Sequence, residues 1–254
     1  MDLVSIITIN FNDSIGLQKT IKSVVNQSYA QIEFIIIDGG STDESKFIIE
    51  QNNSKIKYWV SEKDNGRYHA MNKGILKATG NYCLFLNSGD YLVNNDVVSN
   101  VFFNIRDSDI VYGNMQIDWG NGNIQSGKMP NKITFDHMYI DTLWHPISFI
   151  KRNLFEKFGN YNEAYKIVAD YDFFFKVIVM SNVSLEYVDV DISVYNVNGL
   201  SSLPDNKLLE KMEREKVHKS YLPQSIIEFT NEKLIPKKTN NRMLFRLRNF
   251  LKGI

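Results

Sequence analysis

The amino-acid sequence predicts an α/β fold whose first half is a mostly parallel, Rossmann-like sheet and whose second half is mixed. Over the first hundred residues, apolar β-branched runs alternate with segments of helical periodicity, a pattern typical of strand–helix–strand units with right-handed crossovers. After about residue 108 this alternation gives way to hairpin-like segments. The chain of 254 residues has room for one large domain, or for one domain with a small appendage.

The elements of the first half follow in a regular order. Residues 3–9 form a nearly continuous apolar run, as expected of a parallel strand that is covered on both faces. Ser14 is a suitable N-cap for the helix after it, and Thr42 and Asp43 for the next helix. The remaining predicted elements are strands at residues 34–37, 56–60 and 82–86 and a helix at residues 68–78.

Polar loops follow the predicted strands. They cover residues 10–13, 38–41, 61–66 and 87–90. Because ligands of open α/β sheets bind beyond the carboxyl ends of the strands, we expect the carboxylates of these loops to meet at one rim.

The second half is predicted to be mixed rather than parallel. Its predicted elements are a hairpin of residues 110–118 and 123–128, a strand at 143–150, a helical turn at 154–158 and helices at 171–180 and 206–220. After Glu232 the chain carries seven Lys or Arg residues and no acidic residue, with Leu and Phe interleaved. We therefore predict a domain over residues 1–204 and a helical, basic amphipathic C-terminal extension over residues 205–254.

Composition limits the partners and the compartment. Lys plus Arg equals Asp plus Glu at 29 each, so no overall field recruits nucleic acid. The single cysteine, Cys83, excludes an internal disulfide and suits a reducing compartment. The chain begins without a signal-peptide pattern, so we expect a cytoplasmic protein. The basic tail has two interpretations: a helix on an anionic membrane surface, at the inner face of the cell membrane, or a terminal helix packed on protein.

Several aspartates are candidates for chemistry, each with a structural alternative. Asp38 ends an apolar strand and can accept hydrogen bonds from a nucleobase or ribose, or it can cap the next segment. Asp90 can face a diphosphate through Mg²⁺ or Mn²⁺, or it can form an Asx-type turn. Asp170 and Asp172 begin a predicted helix, where they suit a general base or complement the helix dipole.

Six motifs in order resemble family 2 glycosyltransferases of the GT-A fold. They are VSIITINFN at 4–12, QSY at 27–29, IIDGGSTD at 36–43, DNG with AMNKG at 64–74, FLNSGD at 85–90 and ADYD at 169–172. The resemblance covers about residues 3–200 and implies a GT-A-type domain. It also implies an inverting enzyme that moves a sugar from a nucleotide-diphosphate donor, with UDP as the default, to a glycan or lipid-linked glycan.

The resemblance also implies roles for individual residues. Phe11 would pack on the base, Asp38 would bind the nucleobase or ribose, and Asp64 would complete the nucleoside pocket. The motif from Asn87 to Asp90 would bind the donor diphosphate and the metal, with Asp90 as the metal ligand for Mn²⁺ or Mg²⁺. Asp170 would be the base that deprotonates the acceptor hydroxyl.

This sequence departs from the family pattern at several positions. Asn87 and Gly89 stand where acids often occur, which implies weak metal binding or a cation that relies on Asp90 and phosphate. Arg67 could meet phosphate. His145 matches a family position near the reaction centre, although a lone histidine is as readily structural, and Trp144 is an acceptor platform or a core residue.

Two other classes compete with this interpretation. A Rossmann oxidoreductase needs closely spaced glycines in the first strand-to-helix turn, and residues 10–16 lack that spacing. A non-catalytic sugar-nucleotide-binding module would keep the pocket without turnover, which the thinned metal motif permits and Asp170 argues against.

Overall fold

A computed structural model describes residues 1–120, 123–197 and 206–234 of the chain. The strands are β1 (Val4–Asn10), β2 (Ile32–Asp38), β3 (Tyr58–Ser61), β4 (Tyr82–Phe85), β5 (Tyr91–Leu92), β6 (Ile110–Asp118), β7 (Ile124–Gly127), β8 (Ser148–Lys151) and β9 (Leu185–Asn196). The α-helices are α1 (Ser14–Val25), α2 (Ser45–Gln51), α3 (Arg67–Lys77), α4 (Val97–Val101), α5 (Phe135–Ile140), α6 (Asn153–Phe158), α7 (Ala169–Phe174), α8 (Asn206–Tyr221) and α9 (Gln224–Leu234). Short 3₁₀ turns lie at Asn53–Lys55 and His145–Ile147.

The described strands form one sheet in the order β3-β2-β1-β4-β8-β6-β9-β5, with β7 paired to β6. Strands β3, β2, β1 and β4 pair in parallel, as the alternating pattern predicted. Strand β8 runs antiparallel to both β4 and β6, and β6 pairs in parallel with β9. The predicted change from a parallel to a mixed sheet is therefore confirmed.

The parallel half has its core between the sheet and its helices. Strands β2 and β4 are buried along almost their whole length, which explains their continuous apolar sequences. Helix α3 lies close to the sheet because Gly74 has no side chain. A Cβ atom there would meet Cγ2 of Ile7 at 2.4 Å.

A buried carboxylate joins the amino ends of these strands. Glu33, which is 5% exposed, accepts hydrogen bonds from the hydroxyl groups of Ser5 and Thr79 and from the backbone N–H groups of Thr79 and Gly80. Burial acts to raise the pKa of Glu33, but these hydrogen bonds outweigh it and hold the pKa below its ordinary value. Glu33 therefore ties β1 and β2 to the turn before β4.

Two predicted helix starts need correction. Asp13, not Ser14, caps α1, because its Oδ1 atom accepts the N–H of Gly16 at 3.0 Å. Helix α2 begins at Ser45, later than Thr42 and Asp43 suggested. Asp43 instead joins the two helix starts, since its carboxylate accepts the N–H groups of Ser45 at 3.0 Å and Ser14 at 2.9 Å.

Two elements of the second half also differ from prediction. The expected strand at 143–150 is a 3₁₀ turn followed by β8, because Pro146 favours a helical start and has no N–H for a ladder. The expected helix at 171–180 begins earlier, at Ala169, and continues after Phe174 as a π-helical segment, Phe175–Met180. This earlier start places Asp170 within the first turn of α7.

The chain divides into two compact units, residues 1–214 and 215–254, and α8 crosses the division. The domain boundary predicted between residues 204 and 205 stays a prediction. The predicted basic tail after residue 234, and the tip of the predicted hairpin at residues 121 and 122, lie outside the described residues. Every helix in the described ranges is too short or too polar to span a bilayer.

Candidate active site

The carboxyl ends of β1, β2 and β4 meet, as the loop pattern predicted. Asn10 and Asp38 are paired at the ends of β1 and β2, and Asn10 Nδ2 donates to Asp38 Oδ1 at 2.7 Å. On its other side, Asn10 Oδ1 accepts a hydrogen bond from Ser88 Oγ at 2.7 Å. Asn10 therefore links the β2 loop to the loop after β4.

Asp38 is fully buried, and both of its oxygens accept hydrogen bonds from the protein. Besides Asn10, the donors are the N–H of Ser41 at 2.9 Å, the hydroxyl of Ser41 at 2.5 Å and the hydroxyl of Ser61 at 2.6 Å. This carboxylate holds the ends of three adjacent strands together. Its predicted contact with a nucleobase or ribose stays a prediction, and the structure supplies a scaffolding role in addition.

Phe11, Gly39 and Asp64 lie close together above this scaffold. The Phe11 side chain is 65% exposed, so its ring is available to contact a ligand. A Cβ atom on Gly39 would lie 2.7 Å from Asp64 Oδ2 and 3.3 Å from Phe11 Cδ2. The absence of a side chain at Gly39 therefore lets the Phe11 ring and the Asp64 carboxylate both lie against its backbone.

Arg67 is the first residue of α3 and follows Gly66, whose φ is 113°. The N-cap position provides no side-chain cap, so the first N–H groups of this helix are not capped from within the turn. Asp64 Oδ1 accepts the N–H of Gly66 at 2.9 Å and so fixes the turn. A guanidinium beside a helix N-terminus is an arrangement that favours phosphate oxygens.

The loop from Asn87 to Asp90 is held from below by Thr20 on α1. The Thr20 hydroxyl lies 2.6 Å from the carbonyl of Asp90 and 3.1 Å from the N–H of Gly89. Gly89 has a φ of 93°, in the left-handed region where glycine is favoured. The backbone conformation of the loop therefore favours glycine at this position.

The two polar side chains of this loop have different environments. Asp90 is 4% exposed, and its Oδ1 accepts the N–H of Asn196 at 3.0 Å. Burial raises the pKa of Asp90 to about 7, against the opposing effects of the Asn196 N–H and His145. Asn87 Nδ2 lies 3.2 Å from His145 Nε2, whereas Asn87 Oδ1 is buried without a hydrogen-bond partner among the described residues.

Asp170, at the start of α7, accepts hydrogen bonds from the side chains of His145 and Tyr68. His145 Nδ1 lies 2.9 Å from Asp170 Oδ2, and the Tyr68 hydroxyl lies 3.0 Å from Asp170 Oδ1. With a proton on Nδ1, His145 donates to Asp170 and its Nε2 accepts from Asn87. One run of polar contacts thus joins the loop after β4 to the predicted base.

The environment keeps Asp170 ionised. Burial acts to raise its pKa, since the side chain is only 16% exposed. The hydrogen bond and electrostatic attraction of the His145 Nδ1–H group, with hydrogen bonds from Tyr68 and the N–H of Tyr171, outweigh burial and lower the pKa of this carboxyl below its ordinary value. Asp170 is therefore ionised at neutral pH and available as a proton acceptor.

A cavity of about 270 Å³ opens beside Asp170 and His145. Aromatic side chains of Trp144, Tyr171 and Tyr195 line it, together with the charged residues Asp141, Glu210 and Arg214. Asp172, the other residue suited to a general base or to complementing the helix dipole, is buried and is not part of this lining, so a role for it at the sugar acceptor stays a prediction. A more open cleft of about 520 Å³ lies between β6, β7 and β9 and includes none of the predicted site residues.

Arg214 closes one side of the smaller cavity. Its guanidinium carbon lies 4.2 Å from the centre of the Tyr171 ring, and its Nε donates to Glu210 Oε1 at 3.1 Å. Its Nη1 donates to the carbonyl of Asp141 at 3.1 Å. The sequence did not predict Arg214, Tyr68 or Asn10 as site residues, because their partners lie far away in the chain and no local pattern indicates them.

This order of strands, with the polar loops at the carboxyl ends of β1, β2 and β4, is the GT-A fold, and comparison with solved structures agrees. The S. aureus TarS fragment 1–349, solved in complex with UDP-GlcNAc, has a TM-score of 0.67 at 17% identity, covering 94% of this chain and 74% of that one. The chain spans 45% of a longer TarS structure. The mannosyltransferase PcManGT of Pyrobaculum calidifontis, solved with GDP-Man and Mn²⁺, has a TM-score of 0.60 at 13% identity, with coverage of 99% and 84%.

Sequence comparison then places the chain in a family. Residues 5–178 match glycosyl transferase family 2, and the chain belongs to this family. A Mycobacterium tuberculosis protein named as an uncharacterised glycosyltransferase is 35% identical over 185 residues, which are 70% of this chain and 69% of that protein. The predicted family and fold are confirmed, and the protein is a glycosyltransferase.

Proposed function

We propose that this glycosyltransferase moves a sugar, with inversion, from a nucleotide-diphosphate donor to a hydroxyl group of a glycan or lipid-linked glycan. One observation carries the proposal: Asp170 lies in a cavity wall and is joined through His145 to the loop that follows β4. A proton acceptor and the diphosphate loop of the family are thereby neighbours. UDP is the proposed nucleotide of the donor.

The donor would lie along the carboxyl ends of β1, β2 and β4. The exposed ring of Phe11 offers a face for the nucleobase, and Asp64 beside it offers hydrogen-bond acceptors for the nucleoside. Arg67 and the uncapped start of α3 would receive phosphate oxygens. Asp38 would act mainly by holding the loops in this arrangement.

A divalent cation fits this site only together with the donor. Mn²⁺ and Mg²⁺ prefer oxygen ligands, and Asn87 Oδ1 is a buried oxygen without a hydrogen-bond partner among the described residues. Asp90 would supply the carboxylate. Within the described ranges, no group of three or more His, Cys, Asp or Glu side chains could hold a metal, so diphosphate oxygens would complete the coordination. The cation would supply charge stabilisation for the departing diphosphate.

Asp170 would act on the acceptor. Its carboxylate takes the proton of the acceptor hydroxyl as that oxygen forms a bond to the anomeric carbon. The bond from the anomeric carbon to the diphosphate oxygen breaks, and its electron pair leaves with the nucleotide. Attack and departure occur on opposite faces of the sugar, so a single displacement inverts the anomeric configuration.

The cavity beside Asp170 suits a sugar as the acceptor. Trp144 and Tyr195 offer aromatic faces against which a sugar ring can pack, and Asp141 and Glu210 offer acceptors for hydroxyl groups. At about 270 Å³, the cavity lies below the ~300–1,000 Å³ typical of drug-sized ligands, which favours a single ring over a long chain within it.

We place the enzyme in surface polysaccharide synthesis, in the cytoplasm and peripherally on the inner face of the cell membrane. The sequence after Glu232 supports the placement at the membrane. Each of its seven Lys or Arg residues would contribute about 1 kcal/mol to the free energy of binding near an anionic surface. Flotation of the full chain with anionic and neutral vesicles tests this placement. Equal binding to both kinds of vesicle would contradict it.

A two-stage experiment tests the proposed function. Thermal shift with a panel of nucleotide sugars, with and without Mn²⁺, should single out one donor, because a ligand that binds the folded state raises its stability. Release of the nucleotide from that donor is then measured with sugar acceptors, and the anomeric configuration of the product is determined. Donor binding without nucleotide release would indicate a binding module, and retained configuration would refute the inverting displacement.

A further inference from the structure

Glu213, on helix α8, binds the chain segment that leads into the proposed base. Its Oε1 accepts the N–H of Lys166 at 2.9 Å, and its Oε2 accepts the N–H groups of Ile167 at 2.9 Å and Val168 at 3.3 Å. Glu213 is only 3% exposed. One buried carboxylate therefore satisfies three successive backbone donors.

These donors lie immediately before α7, the helix that carries Asp170 in its first turn. The N-cap residue of α7 is Val168, whose side chain cannot accept a hydrogen bond. Consecutive N–H groups before a helix favour a negative charge. Glu213 supplies that charge from a distant part of the sequence.

Tyr68 links the same segment to Asp170. The Tyr68 hydroxyl lies 2.5 Å from the carbonyl of Ile167 and 3.0 Å from Asp170 Oδ1. The N–H groups of the segment are thus held by Glu213, while one of its carbonyls shares Tyr68 with the base. A shift of the segment would move both the Tyr68 contact and the start of α7.

We infer that Glu213 is a positioning residue for catalysis, which fixes the orientation of Asp170 by holding residues 166–168. This inference rests on the proposed function of Asp170 as the base. Glu213 lies beyond residue 178, where the match to the family ends, and within the first compact unit. The start of α8 is accordingly part of the catalytic structure rather than of an accessory extension.

Kinetics of Glu213→Gln and Glu213→Ala test this role, with Glu215→Gln as the matched control because Glu215 is an exposed glutamate on the same helix. A displacement of about 1 Å can lower a rate by ~100-fold, so Glu213→Ala should lose roughly 10-fold to 100-fold in kcat. Glu213→Gln keeps one acceptor oxygen and should fall between the alanine variant and the wild type. The donor KM and the stoichiometry of donor nucleotide binding should stay at the wild-type values.

A merely structural role would give a different result. The fraction of protein that binds nucleotide would then fall in parallel with kcat, and that result would overturn the inference. So would a kcat within twofold of wild type in the alanine variant. If Glu213→Ala does not fold, Glu213→Gln decides by the same criteria.

Hydrogen exchange separates this inference from the proposed function. Backbone amides of residues 166–168 should be protected in the wild type and should exchange faster in Glu213→Gln, with no change in Glu215→Gln. Unchanged protection would overturn the inference even where turnover is present. An inactive wild-type protein that shows the expected exchange would instead refute the proposed function.

Discussion

Replacing Asp170 by asparagine tests the proposed chemistry most directly. Asparagine has nearly the same shape, and its side-chain oxygen can still accept from the Tyr68 hydroxyl, which lies 3.0 Å from Asp170 Oδ1. It has no charge and cannot take the acceptor proton. The change therefore removes proton transfer while leaving most of the packing at the start of α7 intact.

The magnitude follows from the role of a general base. Such a group contributes typically ~100-fold to 10,000-fold in rate, or about 2.7 to 5.4 kcal/mol of barrier. His145 and Tyr68 hold both oxygens of Asp170, and only 16% of its side chain is exposed, so water has little access to replace it. We expect kcat to fall towards the upper part of that range.

The assay is release of nucleotide from the donor found by thermal shift, with donor affinity measured separately by calorimetry. The donor Kd should change less than threefold, because Asp170 lines the cavity proposed for the acceptor rather than the proposed donor site. Asp136→Asn is the matched control, since Asp136 is an exposed aspartate in the first turn of α5. A kcat within threefold of wild type for Asp170→Asn would refute the assignment of the base.

Three further predictions concern pH, stability and the nucleoside. Because His145 helps to hold the pKa of Asp170 below its ordinary value, His145→Gln should raise that pKa and move the acid limb of kcat to higher pH. The measurement uses saturating donor and Mn²⁺, so that titration of Asp90, whose pKa is about 7, does not set the limb. An unshifted limb would mean that His145 does not set the pKa of Asp170. Glu33→Gln should lower the free energy of unfolding by about 2–4 kcal/mol in urea denaturation, since it weakens several charge-assisted hydrogen bonds. The pKa of Glu33 is lowered in the folded state, so its contribution to the free energy of unfolding is present above the unfolded pKa and is lost as pH falls through the folded pKa. A difference in unfolding free energy between wild type and variant that does not shrink in acid would contradict this prediction. Phe11→Ala should weaken nucleotide binding roughly tenfold by calorimetry without lowering Tm, because stacking on a base is worth ~1–3 kcal/mol and the ring is exposed; unchanged affinity would remove Phe11 from the donor site. The matched controls are exposed residues of the same type, Glu50→Gln and Phe103→Ala.

The parallel half of the fold was predictable because its signals are local. A strand that is covered on both faces must be apolar along its length, and Ile35, Ile36 and Ile37 satisfy this requirement next to Asp38. The end of such a strand locates its polar loop at the binding edge of the sheet. The position of Asp38 and of the loop from Asn87 to Asp90 therefore followed from pattern alone.

Local sequence signals were weaker where one type of secondary structure ends and another begins. Pro146 turned part of an expected strand into a 3₁₀ turn, and that turn is what presents His145 to Asp170. Asp13 rather than Ser14 caps α1, because both residue types are good caps and only the chain geometry selects one. Such choices between equivalent residues depend on the surrounding packing.

The amino-acid sequence by itself determined the family, the order of the strands and helices in the first half, and the acidic residues available for chemistry. Only the tertiary structure decided which of these acids is buried, as Asp90 is, and which one is held ionised, as Asp170 is. It also decided that Tyr68 and His145 contact Asp170 and that Glu213 binds the segment before α7. Periodicity reports which face of an element is apolar, whereas a pKa and a hydrogen-bonded position depend on partners that folding brings from distant parts of the chain.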